Sequence, residues 1–248
     1  MIPRVIHYCW FGGKPLPALA KKCLASWEKF CPDYEIKRWD ESNFDVNCCD
    51  YVREAYDAKK WAFVSDYVRL KVLVEHGGIY MDTDVEVIRP LDSFLNEQAF
   101  SGFESETTIP TGIMACEKGF STFADMLNGY HNRHFLQPSG EYDLTTNVIE
   151  ITKYFLQRGF ISNDKKQTVQ GFTLYPHDYF CPKDGRTQKI TLTPNTYTIH
   201  HFSGSWLPLH KHVKSWLKRL LGYRATIAIM AVKRFIREKL LRQSPTGK

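Results

Sequence analysis

Apolar and polar positions along the first hundred residues fall into short β-rich runs and longer helical stretches. Ile2 to Trp10 is an almost unbroken apolar run and predicts a buried first strand. Phe11-Gly12-Gly13-Lys14-Pro15 reads as a loop. Pro17 to Phe30 predicts a helix with Leu19, Cys23, Leu24 and Trp27 facing inward, and Tyr34 to Trp39 predicts a second strand. Lys59 to His76 predicts a long helix closed by Gly77-Gly78. Ile79-Tyr80-Met81 is a short apolar strand, which Val85 to Ile88 resumes after Asp82-Thr83-Asp84. Further strands are expected within 99–116, helices over 119–131 and 147–157, and a late strand from Tyr197 to Phe202. The β-α-β-α-β order predicts an α/β domain with a mostly parallel central sheet.

Length and composition narrow this picture. A chain of 248 residues is within reach of one large domain. With 43% apolar and 24% charged residues, disorder, collagen and coiled coil are excluded. The net charge of +6 points at first to nucleic acid, but its distribution does not. His210 to Lys248 holds eleven Lys or Arg and one acidic residue, Glu238, whereas residues 1–209 carry 22 positive and 26 negative charges. The expected organisation is therefore a mildly acidic body, 1–209, and a basic tail, 210–248, with no nucleic-acid partner. The seven cysteines are odd in number, form no C-x-x-C pair, and include the adjacent Cys48 and Cys49, too close for an ordinary bridge. Reduced thiols in a cytosolic setting are expected. The N-terminus shows no signal-peptide pattern, and the longest late apolar run, Ala225 to Val232, is too short to span a bilayer.

Three stretches carry candidate chemistry. In Asp82-Thr83-Asp84, two carboxylates sit just past a buried strand, at the sheet edge where α/β ligands gather. They suit Mg²⁺ or Mn²⁺ and a diphosphate; a solvated acidic turn is the plain alternative. On the Lys59–His76 helix, Lys71 and Glu75 mark the solvent side, while Ser65, Asp66, Arg69 and His76 cluster roughly opposite. Inward charges are costly unless paired or bound to a ligand, so Asp66 and Arg69 either staple the core as an ion pair or hold a sugar and a phosphate. In His200-His201-Phe202-Ser203-Gly204-Ser205-Trp206, a neutral imidazole can complete a metal site. Gly204 and the serines allow close backbone approach to phosphate; a strand-end histidine pair with Trp206 in the core is the alternative.

Together these segments resemble a known family. Ile2-Pro3-Arg4-Val5-Ile6-His7-Tyr8-Cys9-Trp10-Phe11-Gly12-Gly13, then Ser65-Asp66-x-x-Arg69, then Gly77-Gly78-Ile79-Tyr80-Met81-Asp82-Thr83-Asp84, are similar to the signature of glycosyltransferase family 32, the DXD-motif family. Its members include capsular and lipopolysaccharide sugar transferases and the initiating mannosyltransferase of yeast, and the large clostridial glucosylating toxins are related. The resemblance implies a GT-A fold, a nucleotide-sugar donor leaning to UDP, Mn²⁺, and retention of anomeric configuration. It places Trp10 on the nucleobase and Asp66 and Arg69 on the donor sugar. Asp82 would contact ribose or sugar and assist the metal through water. Asp84 would be the main metal ligand, and His201 a late one. Trp206 would contact the diphosphate or close over the donor. Ser65, Tyr80 and Gly204 join the donor contacts, as does Asn147, although Thr145-Thr146-Asn147 departs from the family's common Thr-Gly-Pro.

The expected function is retaining transfer of a hexose or N-acetylhexosamine from a nucleotide sugar to a glycan or lipid-linked oligosaccharide in surface polysaccharide synthesis. Two alternatives stand beside it. One is a D-x-D phosphatase, disfavoured because Glu86 stands where such enzymes carry Thr or Val. The other is a non-catalytic peripheral membrane protein that binds sugar. Segment 211–248 places Trp216, Leu217, Leu220, Leu221, Ile227, Met230, Phe235, Leu240 and Leu241 among its cations. It predicts amphipathic basic helices that either pack on the body or dock on anionic lipid at the inner face of the cell membrane.

Overall fold

The computed structural model describes residues 1–105, 107–185 and 187–204. Met1–Ser203 forms one compact unit. The tail 210–248, and with it the predicted boundary at 209/210, lies outside the described residues, as does Trp206.

The elements run in chain order. β1 (Val5–Cys9), α1 (Ala18–Phe30), β2 (Glu35–Trp39), α2 (Asp50–Asp57), α3 (Trp61–His76), β3 (Gly78–Met81) and β4 (Val85–Val87) make the first half. After a 3-10 turn at Asp92–Phe94 come β5 (Ala99–Gly102), β6 (Ile113–Cys116), α4 (Ser121–Asn128) and α5 (Asn147–Leu156). β7 (Gln167–Val169), β8 (Phe172–Tyr175), α6 (His177–Phe180) and β9 (Thr198–His200) complete the described part. The main sheet has the order β2-β1-β3-β6-β5-β8-β7, and β4 pairs with β9 in a small second ribbon.

The sheet is mixed. β2-β1, β1-β3 and β5-β8 are parallel, whereas β3-β6, β6-β5 and β8-β7 are antiparallel. The parallel half is the one the apolar runs predict. β1 and β3 are buried along almost their whole length, as strands covered on both faces must be. One cluster packs α2 and α3 against one face through Tyr51, Val52, Ala55, Val64 and Val68. A second packs Trp27 of α1, Ile79, Met81 and Val85 on the other.

Two glycines set the path from α3 into β3. Gly77 has φ +67 and Gly78 φ +104, conformations that L side chains rarely adopt. A Cβ on Gly78 would stand 2.7 Å from the Val5 carbonyl oxygen, and one on Gly77 2.6 Å from the Lys118 nitrogen. Beside them His7 is fully buried. Its Nε2–H donates to the Gly77 carbonyl at 2.9 Å, and its Nδ1 accepts the Trp39 indole N–H at 3.1 Å. Because an indole only donates, this pairing fixes a neutral imidazole with its proton on Nε2. Burial accordingly pushes the His7 pKa down to about 4 against the Gly77 hydrogen bond, with His76 and Lys37 adding to the depression.

Candidate functional site

The strand directions gather the site at one edge. β1 and β3 are parallel, with Ile6 opposite Ile79 and His7 opposite Tyr80, so Trp10 and Asp82 leave the sheet on the same side. β6 runs antiparallel to β3, so its first residues, and Thr111-Gly112 before them, arrive at the same place. The Asp82 backbone N–H donates to the Gly112 carbonyl at 2.8 Å.

α3 delivers Asp66 and Arg69 to this edge. They are only 6% and 4% exposed, whereas Lys71 and Glu75 form the expected outer i,i+4 pair at 2.6 Å. The Arg69 guanidinium lies 3.2 Å from Asp66 Oδ1 and 3.4 Å from Asp82 Oδ1. It also donates to the Thr111 carbonyl at 2.5 Å and the Ser65 carbonyl at 3.2 Å, and covers the Tyr80 ring at 4.7 Å. One cation therefore joins the helix to the first aspartate of the D-x-D turn. Its buried charge disfavours protonation, but Asp82, Tyr80 and Asp66 outweigh this and raise the Arg69 pKa. Burial pushes the Asp66 carboxyl up to about 6, against the downward pull of Arg69 and the Asn147 N–H. His76, expected on the same face, is instead exposed at the helix end, stacked on Trp39 at 5.4 Å.

Three expected donor contacts stand behind the site rather than at its front. The Tyr80 hydroxyl donates to Asp82 Oδ1 at 3.0 Å from a ring that is 1% exposed. The Ser65 hydroxyl donates to the Trp61 carbonyl at 3.0 Å, as helical serines commonly do. Buried Asn147 donates its backbone N–H to Asp66 Oδ2 at 3.1 Å and its amide to the Asp66 carbonyl at 2.6 Å. It accepts the Tyr130 hydroxyl at 2.5 Å. Trp10 is half-buried, with its indole N–H donated to the Lys14 carbonyl at 2.5 Å. Gly204 has φ +60.

The imidazole beside the carboxylates is that of His200, in place of the expected His201. Ligand atoms of Asp82, Asp84 and His200 all lie within 4.8 Å of one another. His200 Nε2 is 3.3 Å from Asp84 Oδ1. The His201 ring turns to the other face of the ribbon, where its Nε2 lies 2.8 Å from Glu86 Oε2, a carboxylate also paired with Lys22 at 2.9 Å. The reason is the two-residue period of a strand: Val85 is opposite His200, so consecutive histidines face apart. Gly112 makes room for His200, since a Cβ there would stand 2.8 Å from the ring.

The segment after β9 closes around Asp84. Its carboxylate accepts the Ser203 N–H at 2.7 Å, and its carbonyl the His201 N–H at 2.9 Å. Phe202 turns the chain through φ +51, a strained value for a bulky residue, and its ring lies 4.2 Å from that of His200. Burial alone would raise the Asp84 pKa, yet His200 and Ser203 hold it far below the ordinary carboxylate range. Burial disfavours the charged form of His200, but the Asp84 carboxylate and the nearby Cys181 raise it well above the ordinary value. The His200 Nδ1 is buried and has no hydrogen-bond partner among the described residues. Two carboxylates and an imidazole whose ligand atoms lie this close fit a divalent cation, which would take the place of the proton that Asp84 holds on His200. Gly112, Thr111, Tyr130 and Phe202 carry no sequence signal of their own, because their contribution lies in contacts that only the fold creates.

The fold is that of the GT-A glycosyltransferases. It superposes on the apo-form glycosyltransferase GlyE of Streptococcus pneumoniae TIGR4 with a TM-score of 0.50, at 9% identity over 90% of this chain and 65% of that one. Residues 17–101 match the family model described as the glycosyltransferase sugar-binding region containing the DXD motif, so the resemblance to the DXD-motif family is shown over the segment that carries Asp66, Arg69, Asp82 and Asp84. The chain is 32% identical over 126 residues to inositol phosphoceramide mannosyltransferase 3 of Schizosaccharomyces pombe, covering 48% of this chain and 34% of that protein. It is 31% identical over 105 residues to an uncharacterized glycosyltransferase of Acanthamoeba polyphaga mimivirus, covering 38% and 40%. It thus spans about a third of the length of the curated relatives it matches.

Proposed function

We propose that this chain is a metal-dependent retaining glycosyltransferase. It moves a hexose or N-acetylhexosamine from a UDP-sugar to a glycan or lipid-linked oligosaccharide in surface polysaccharide synthesis. The observation that carries the reading is the buried Arg69 spanning Asp66 and Asp82, residues within the segment that matches the family, beside the Asp82–Asp84–His200 cluster.

In this reading Asp84 and His200 hold Mn²⁺ or Mg²⁺, with Asp82 beside them. When bound, the cation neutralises charge on the departing diphosphate. Arg69 adds fixed positive charge at the same edge, placed before the reaction and held by four partners, so it needs no reorganisation when charge develops. Two of the Asp66 carboxylate's lone pairs take Arg69 and the Asn147 N–H, leaving capacity for a sugar hydroxyl. Trp10, at the end of β1, offers its indole face to the nucleobase. The acceptor hydroxyl attacks the anomeric carbon from the face the diphosphate leaves, and its proton passes to a departing phosphate oxygen. No side chain serves as covalent nucleophile, so trapping a glycosyl adduct on the protein contradicts this route.

Segment 211–248, by its charge alone, suits docking on an anionic membrane face where a lipid-linked acceptor would lie. Among the described residues no helix is long and apolar enough to cross a membrane. The test is a panel of nucleotide sugars with Mn²⁺, scored by nucleotide release to water. Turnover of one UDP-sugar above the rest is expected, and no turnover of any nucleotide sugar contradicts the reading.

A further inference from the structure

The Asp66 carboxylate is held from two sides. Arg69 takes Oδ1 at 3.2 Å from within α3, and Oδ2 accepts the backbone N–H of Asn147, the first residue of α5, at 3.1 Å. The N–H groups that open a helix have no partner inside it, and the positive end of the helix dipole favours a carboxylate there. The Asn147 side chain adds a second grip on the same residue, since its amide N–H donates to the Asp66 carbonyl at 2.6 Å. That bond fixes the amide with its nitrogen toward Asp66 and its oxygen turned away. The oxygen accepts the Tyr130 hydroxyl at 2.5 Å.

Tyr130 is itself clamped. It is buried, and its ring meets Tyr51 edge-on at 4.9 Å and Tyr67, the neighbour of Asp66 on α3, at 5.4 Å. The Arg133 guanidinium lies over Tyr130 and Tyr51 at 5.2 and 5.0 Å. Arg133 also donates to Asp143 Oδ2 through two nitrogens, at 2.9 and 2.7 Å, and Asp143 Oδ1 accepts the Thr145 N–H at 3.0 Å. The connection from α4 to α5 is thereby tied off just before Asn147.

Resting on the donor-sugar role given to Asp66, we propose that Tyr130 is a positioning residue for the transferred sugar. Through Asn147 it locks the Asp66 carboxylate in the orientation that leaves lone pairs for sugar hydroxyls. The role is indirect: Tyr130 and Asn147 are buried behind Asp66 and act through it. The donors all point one way, Tyr130 O–H to Asn147 and Asn147 N–H to Asp66, so each bond polarises the next. A carboxylate ordered before the sugar arrives loses less freedom on binding it. The Asp84–His200 side of the edge takes no part in this chain of bonds, so nucleotide and metal binding should not depend on it.

The test is isothermal titration calorimetry of the full chain with Mn²⁺, comparing UDP with the UDP-sugar that wild type turns over fastest. Tyr130→Phe keeps the ring and removes only the hydroxyl, which leaves Asn147 Oδ1 buried and unpaired. Its affinity for the UDP-sugar should fall about ten-fold, while its affinity for UDP stays within about two-fold and shows the variant to be folded. On an Asp66→Ala background, Tyr130→Phe should change UDP-sugar affinity by less than about two-fold, because its effect passes through that carboxylate. Equal losses for UDP and UDP-sugar would mark a merely structural role and overturn the proposal. So would no loss for the UDP-sugar, or the same ten-fold loss on the Asp66→Ala background. If wild type binds neither UDP nor any UDP-sugar, the donor reading of the site falls together with this proposal; if it binds them and Tyr130→Phe changes nothing, the positioning role falls alone.

Discussion

At the scale of single residues, Arg69 bears the most. Its guanidinium serves Asp66, Asp82 and two carbonyls at once, a planar fork that an ammonium cannot reproduce. Arg69→Lys should leave a folded protein whose kcat/KM for nucleotide-sugar hydrolysis falls by about a hundred-fold, roughly 2.7 kcal/mol of lost transition-state stabilisation. Steady-state nucleotide release checks this, and a loss under three-fold argues against the assigned contacts. Such residues were legible because buried charge at helical spacing is rare, and because D-x-D follows an apolar run. The choice between His200 and His201 was not legible. A strand's alternation says that only one of two neighbours can face the site, but only the pairing of Val85 with His200 says which.

His7 supports a second prediction. Its pKa falls from the ordinary 6.5 to about 4 through burial, so the unfolded chain binds the extra proton between those values. Its contribution is fully present above pH 6.5 and is lost as pH falls toward 4, at about 1.4 kcal/mol per pH unit. Asp66 runs the other way. Its raised pKa gives stability that is present below 3.8 and lost as pH rises through about 6. The two slopes offset one another in an unfolding curve, so the direct readout is imidazole NMR. The His7 ring should keep its Nε2–H tautomer and stay neutral at pH 5; titration near 6.5 contradicts the buried pairing with Trp39.

At the scale of elements, the joint between α3 and β3 sets where the D-x-D turn begins. Gly78→Ala places a Cβ 2.7 Å from the Val5 carbonyl at φ +104, which shifts backbone rather than a flexible side-chain end. We expect a loss of more than about 2 kcal/mol in urea unfolding, from left-handed strain plus the clash. A loss under 0.5 kcal/mol contradicts the role given to this glycine. α1, α3, β1, β2 and β3 were legible from period and length. α2, β7 and β8 were not read: α2 is an eight-residue helix half made of charged groups, and the two strands are three and four residues long. The sheet's antiparallel half was hidden for a related reason, since β6 enters between β3 and β5 through loops that no local pattern orders.

At the scale of the whole molecule, charge separates an acidic body from a basic tail. If residues 211–248 dock on anionic lipid, deleting them should move the protein from sedimenting vesicles of anionic composition to the supernatant, while nucleotide-sugar hydrolysis by the body persists. Equal sedimentation with and without the segment contradicts a docking role. The central claim concerns the body, and one measurement tests it most directly: Mn²⁺-dependent release of UDP from a UDP-sugar by wild type and by Asp84→Ala. The account predicts turnover that a chelator abolishes and that the variant, shown to be folded by circular dichroism, reduces by at least a hundred-fold. Turnover by the variant at the wild-type rate would show that the carboxylates and imidazole gathered at this sheet edge are not the site of the chemistry.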